Sequence, residues 1–138
     1  MRLALIGLPG SGKTTVGRQL ARRLRLPFDD SDHVLERRLG CSIREFFASD
    51  GEAKFRDIEE QVIDELTRSH EGVLGTGGGV VLRPANRAAL HARTHVIYLR
   101  SLPEELFRRL RHDQARPLLQ VADPLQRLRD LFAQRDPL

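Results

Sequence analysis

Lysine is nearly missing from this chain of 138 residues: of 23 basic residues only Lys13 and Lys54 are lysines, and all the others are arginines. Cysteine occurs once, at Cys41. That excludes an internal disulfide and fits a reducing, cytoplasmic setting, with Cys41 as a packed bystander. Tryptophan is absent and tyrosine occurs once. Without aromatics interleaved among the basic residues, base stacking on the surface has little to work with, so nucleic acid is not an expected partner. No apolar run approaches the roughly 20 residues that cross a bilayer, so no membrane helix is expected. The opening "MRLALIGLPG" is too short in its apolar part for a secretory leader and runs into a glycine loop rather than a cleavage site. Repeats and low-complexity linkers are also lacking, and the length suits one domain.

The elements that are present alternate. "RLALI" at 2–6 reads as a buried strand, and from Lys13 onward Val16, Leu20, Ala21 and Leu24 follow a helical period. "LPFDD" turns at Pro27 into a second strand, and "SDHVLERRLG" reads as a helix closing at Gly40. Ser42 with Glu45 three residues on forms a capping box for a short helix. A longer helix after Gly51 sets Phe55, Ile58, Val62 and Leu66 on one side. "GVLGT" is a third strand, Pro84 opens a helix to about His91, and "THVIYLR" is a fourth strand. Further helices are expected from Ser101 and from Asp123. Strand–helix alternation predicts an α/β fold, a parallel sheet with helices on both faces. Right-handed crossovers then bring the loops after strands one, two and three to one rim, the edge where such sheets bind ligands.

The first of these loops is "GLPGSGKTT". Gly7-x-x-x-x-Gly12-Lys13-Thr14 matches the phosphate-binding loop pattern in the strand–loop–helix setting that the pattern requires. Backbone N–H groups of Gly10, Ser11, Gly12 and Thr15 are candidates to cradle phosphates, aided by the helix N-terminus. Lys13 is placed to reach the β- and γ-phosphates, and the Thr14 hydroxyl to reach Mg²⁺. A narrow loop accommodates the slender ammonium where the wide guanidinium fork would not fit, which accounts for a lysine in an arginine-rich chain. Lys54 reads as a residue of an exposed helix face. The metal also calls for a carboxylate, and strands three and four end without one. The acids at a strand end are Asp29, Asp30 and Asp32 in "FDDSD", and Asp30 or Asp32 is the candidate for the metal's outer shell. One of the three is expected simply to cap the following helix. The five histidines form no ligand constellation; His91 and His95 are four apart but straddle a helix end and a strand start.

Taken in order, "GLPGSGKTTVGRQLA", "FDDSD", "GEAKFRDIEEQVI", "TGGGVVL", "RPLL" and "RDPL" resemble the shikimate kinase family over essentially the whole chain. The phosphate loop alone is shared with a great many nucleotide-binding proteins; the remaining set is far more specific. The resemblance implies a three-layer P-loop kinase fold in a single domain, 1–138, with substrate-binding helices over about 31–69 and a lid over about 111–122. It implies transfer of the γ-phosphoryl group of ATP, with Mg²⁺, to the 3-hydroxyl of shikimate, by a monomer in the cytoplasm. By the same resemblance Arg56 and Arg135 bind the substrate carboxylate, and Gly78 and Gly79 offer N–H groups to the ring hydroxyls, with Gly77 completing the turn. Phe47 and Phe55 form an apolar wall. Asp32 meets the accepting hydroxyl, and Asp30 holds magnesium through water. Glu59, three residues after Arg56 on one helical face, can orient it.

The charge pattern fits this resemblance. Net charge is +4, and the segment from Arg108 to Arg129 holds six arginines against two aspartates. Such a patch suits a compact polyanion. In the family, Arg116 of "RHDQARPLLQ" belongs to the lid and contacts phosphates, and Arg109 stacks near adenine. Two departures stand out. Asp29 occupies a position where an apolar residue is usual, and after "RDPL" the family continues into a fifth strand, an adenine loop and a closing helix. The expected sheet here therefore has four strands. Two other readings remain open at this point: a related small-molecule kinase, such as one acting on gluconate, and a nucleotide-binding fragment without catalysis.

Overall fold

The computed structural model describes residues 1–8 and 12–100, together with Glu104, Arg129 and Ala133. The elements run β1 (Arg2–Ile6), α1 (Lys13–Leu24), β2 (Phe28–Asp30), α2 (Ser31–Leu39), α3 (Ile43–Asp50), α4 (Glu52–Ser69), β3 (Gly72–Gly75), a 3₁₀ turn (Val80–Leu82), α5 (Pro84–Arg93) and β4 (His95–Tyr98). The expected helices after Ser101 and Asp123 lie outside the described residues. The four strands form one sheet in the order β2-β3-β1-β4, with every pair parallel.

Alternation along β1 divides the core. Leu3 and Leu5 face Ala21 and Leu20 of α1, together with Phe28, Val73 and Ile97. Ala4 and Ile6 face the other way, toward Ile63 of α4, Val80, and Leu90 of α5. Helices therefore cover both faces, as the alternation of elements predicts. A separate apolar cluster of Leu35, Phe55 and Val62 joins α2, α3 and α4. Ile58 and Leu66 complete the stripe read from the sequence.

Helix α1 departs from the expected inward face. Gly17 and Ala21 are its buried residues, while Val16 is 39% and Leu24 42% exposed. The cause is a close approach: a Cβ on Gly17 would stand 2.6 Å from the Phe28 ring and 2.9 Å from Leu5. The helix comes so near the sheet through a glycine that its inward face is centred on Gly17 and Ala21. Counting large apolar residues alone misses that. Elsewhere the local signals hold. Gly40 caps α2 with φ of 73°, Ser42 accepts from the Glu45 N–H, and Pro84 starts α5.

Register sets the rim. Leu5 pairs with Gly75, and Gly75 with Asp30, so β1, β2 and β3 end level with one another. The phosphate loop, the "DDSD" acids and the glycine turn leave the sheet from that shared line.

Candidate active site at the sheet rim

The phosphate side starts where β1 enters its loop. Gly12, at φ of 92°, is the N-cap of α1, in a left-handed conformation that disfavours any other residue. The first turn of α1 has no acidic residue and its N-cap has no side-chain hydrogen bond, so the N–H end of the dipole keeps its anion-binding character. Lys13 Nζ reaches back over the loop and donates to the carbonyls of Gly7 at 2.6 Å and Leu8 at 3.0 Å. Two carbonyls at the start of the loop thus meet one slender ammonium. Gly10 and Ser11 lie outside the described residues, and Thr15 is exposed one residue beyond Thr14.

The acids sit beside it. Thr14 Oγ1 donates to Asp30 Oδ2 at 3.2 Å, and Asp30 Oδ1 accepts the Asp32 N–H at 2.8 Å as the cap of α2. Asp30 is thus the one of the three acids that caps the helix, and the same carboxylate meets the hydroxyl of Thr14. Asp29 accepts from the Asp30 N–H at 2.8 Å and so steadies that carboxylate's backbone. The Thr14 hydroxyl and Asp30 carboxylate are two hard oxygens side by side. That suits a small cation that keeps most of its waters and takes one or two protein oxygens plus phosphate. Among the described residues no three His, Cys, Asp or Glu side chains group to hold a metal by themselves.

The acceptor side is assembled from α2, α4 and the turn after β3. Arg56 is 7% and Glu59 1% exposed, and Nη1 of the arginine meets Oε1 of the glutamate at 2.9 Å. The guanidinium lies 5.2 Å from the Phe55 ring and 5.9 Å from the Phe47 ring, and the two rings meet edge to face at 5.0 Å. Burial thus locks the arginine against aromatic faces. A Cβ on Gly79 would stand 2.5 Å from the guanidinium carbon. A Cβ on Gly77 would stand 2.8 Å from Asp32 Oδ1 and 3.4 Å from Glu59 Oε2. The glycines let the turn approach Arg56 and Asp32 as closely as backbone can. Lys54, by contrast, is exposed on α4, as its position suggests.

Three supporting residues escaped the sequence reading. Thr76 Oγ1 donates to the Leu5 carbonyl at 2.7 Å and ties the start of the glycine turn to β1. Asn86 Nδ2 donates to the Val80 carbonyl at 3.0 Å and ties its end to α5. Glu52 Oε1 lies 3.3 Å from Arg56 Nη2, making it a second carboxylate on that arginine. Glu52 is four residues before Arg56, a helical pairing that the sequence does offer. Of the remaining site candidates, Asp32 and Gly78 stand with this group on the rim, while Arg109, Arg116, Arg135 and the lid over about 111–122 lie outside the described residues.

A parallel sheet whose first loop carries the phosphate-loop pattern, with a carboxylate beside the loop's threonine and a buried arginine across the rim, defines a P-loop kinase. The particular kind follows from comparison with known proteins. A family model described as shikimate kinase matches residues 9–138. A shikimate kinase of Paracidovorax citrulli is 64% identical over 140 residues, spanning 100% of this chain and 76% of that protein. The solved shikimate kinase from Acinetobacter baumannii, in complex with shikimate, superposes with a TM-score of 0.96 at 46% identity. That superposition covers 99% of this chain and 76% of the other. The chain belongs to the shikimate kinase family. A gluconokinase from Sinorhizobium meliloti aligns over 96% of this chain and 73% of its own with a TM-score of 0.58 at 17% identity, a likeness of fold alone.

Proposed function

We propose that this chain transfers the γ-phosphoryl group of ATP to the 3-hydroxyl of shikimate, giving shikimate 3-phosphate and ADP. The observation that carries the reading is the buried Arg56–Glu59 pair facing Gly79 on the same rim as the phosphate loop. A small ring bearing one carboxylate and three hydroxyls needs a guanidinium fork and backbone donors at close range, and these are what the rim offers. The full-length likeness to shikimate kinases supports the same acceptor.

In this reading Lys13 balances charge on the β- and γ-phosphates, and the α1 N-terminus binds them through N–H groups. Asp32 accepts a hydrogen bond from the attacking hydroxyl and takes its proton as the new P–O bond forms. Arg56 and Arg135 fix the acceptor carboxylate, Gly77, Gly78 and Gly79 approach its hydroxyls, and Phe47 and Phe55 exclude water from its apolar side. Arg109 and Arg116 belong to the nucleotide. Thr14 and Asp30 would hold Mg²⁺, whose contribution is Lewis-acid neutralisation of phosphate charge. A monomer in the cytoplasm belongs to the same reading, as the resemblance implies. Among the described residues no helix is long and apolar enough to cross a membrane.

A coupled ADP-release assay tests the proposal. Release is expected to depend on both shikimate and Mg²⁺. Purified, folded protein that phosphorylates gluconate or nothing at all in that assay overturns it.

A further inference from the structure

Arg56 meets two carboxylates. Nη1 holds the buried Glu59 at 2.9 Å and Nη2 holds Glu52 at 3.3 Å, so two carboxylates share one cation. The two contacts differ in kind. Glu59 is 1% exposed and has no room to leave, whereas the Glu52 side chain is 46% exposed at the mouth of the site, on the first residue of α4. The edge of the guanidinium that Glu52 touches is also incompletely used. Arg56 Nε, on the same edge as Nη2, is buried without a hydrogen-bond partner. A carboxylate seated squarely on that edge would accept from both nitrogens, which is the strong forked geometry. Glu52 accepts from only one, at a long distance.

We infer that Glu52 is an internal stand-in for the acceptor carboxylate: it occupies Arg56 Nη2 until a forked carboxylate displaces it. This rests on the proposed role of Arg56 in binding the acceptor. Displacement exchanges a one-point contact for a two-point contact and satisfies the Nε–H that Glu52 leaves unpartnered. Glu52 loses little on swinging away, because it stands half in water within the first turn of α4, where a negative charge is favourable.

The test is the dissociation constant of shikimate, measured by calorimetry, alongside ADP-release kinetics, for wild type, Glu52→Gln and Glu59→Gln. Glu52→Gln keeps size and helix position and removes only the charge. The expected result is a two- to fivefold tighter binding of shikimate, about the strength of a half-exposed ion pair, with the KM for ATP unmoved. Glu59→Gln is expected to shift shikimate binding the opposite way, by about tenfold or more, since it strips the buried partner from Arg56. A Glu52→Gln protein that binds shikimate with unchanged or weaker affinity overturns the inference, because Glu52 would then serve only to hold Arg56 or to favour the helix dipole. Wild-type protein that neither binds shikimate nor releases ADP with it overturns the proposed function itself, and the inference with it.

Discussion

The two ends of the rim hold their cations by opposite means. At the phosphate end, Lys13 rests on the carbonyls of its own loop, five and six residues back. At the acceptor end, Arg56 is buried among aromatic rings, paired to Glu59 in the same helix and pressed by a glycine from a turn 23 residues on in sequence. The first arrangement is local, its contacts made within one stretch of chain. The second is woven into the packing of α4, where Phe55 packs with α2 and α3 and Ile63 against the sheet. A cation at the phosphate end should therefore matter to rate alone, and one at the acceptor end to rate, binding and stability together.

The largest effect is expected at Lys13. Replacing it by alanine removes the charge proposed to balance the γ-phosphoryl group, and kcat should fall on the order of a thousandfold. Lys13→Arg should do nearly as badly, because the wide fork cannot enter a loop whose carbonyls close on one ammonium. Both variants should keep the urea midpoint of wild type within error and bind shikimate normally. A Lys13→Arg protein with kcat within threefold of wild type would remove the steric argument for the lysine.

Arg56→Ala comes next and should separate the two ends. Breaking a buried pair strips Glu59 of its contact with Arg56, at a cost of about 3 kcal/mol or more. Urea unfolding should show that loss, and the KM for shikimate should rise well beyond tenfold while the KM for ATP changes little. If stability is unaltered, then Glu59 is relieved by other means and the acceptor end is no more woven into the core than the phosphate loop. Gly79→Ala is the gentler form of the same probe. Its backbone, at φ of −99°, accepts alanine without strain. The added methyl meets the guanidinium carbon at 2.5 Å, so the far end of the arginine must shift. A several-fold rise in the KM for shikimate, with kcat much less affected, is expected from steady-state kinetics.

The same contrast explains how much the sequence disclosed. The phosphate loop was legible because its physics is contiguous: glycines, a lysine and a threonine at fixed spacing between a strand and a helix. The order of the elements, the parallel sheet and the shared rim followed from alternation and crossover handedness. Arg56 with Glu59 was legible as a helical spacing, although its burial was not, since burial depends on where the aromatic rings of α3 and α4 fall. That Asp30 both caps α2 and meets Thr14 was hidden for the same reason: Thr14 arrives from another element. Gly17 was missed because a glycine in a helix carries no apolar signal, and only the closeness of Phe28 and Leu5 shows its purpose. Asn86 and Thr76 act through single hydrogen bonds to the chain on either side of the glycine turn, which no spacing rule reveals.

The smallest expected effect lies further along α4 and checks whether burial is what sets Arg56 apart. Asp64 also pairs with arginines, Arg68 at 3.2 Å and Arg93 at 2.8 Å, but it is half exposed. Its hydrogen bonds from Arg93 and then Arg68 hold its carboxyl below the ordinary value of 3.8. A carboxylate with a depressed folded-state pKa contributes stability that is present above 3.8 and lost as pH falls through the lower, folded value. Asp64→Asn should therefore lower the urea midpoint slightly at pH 7. The gap between variant and wild type should close once the pH is well below that value, and activity at pH 7 should be unaffected. Solvent screening keeps such an exposed pair weak. An Asp64→Asn protein as destabilised as Arg56→Ala would mean that the number of ion contacts, and not their burial, governs what this helix tolerates.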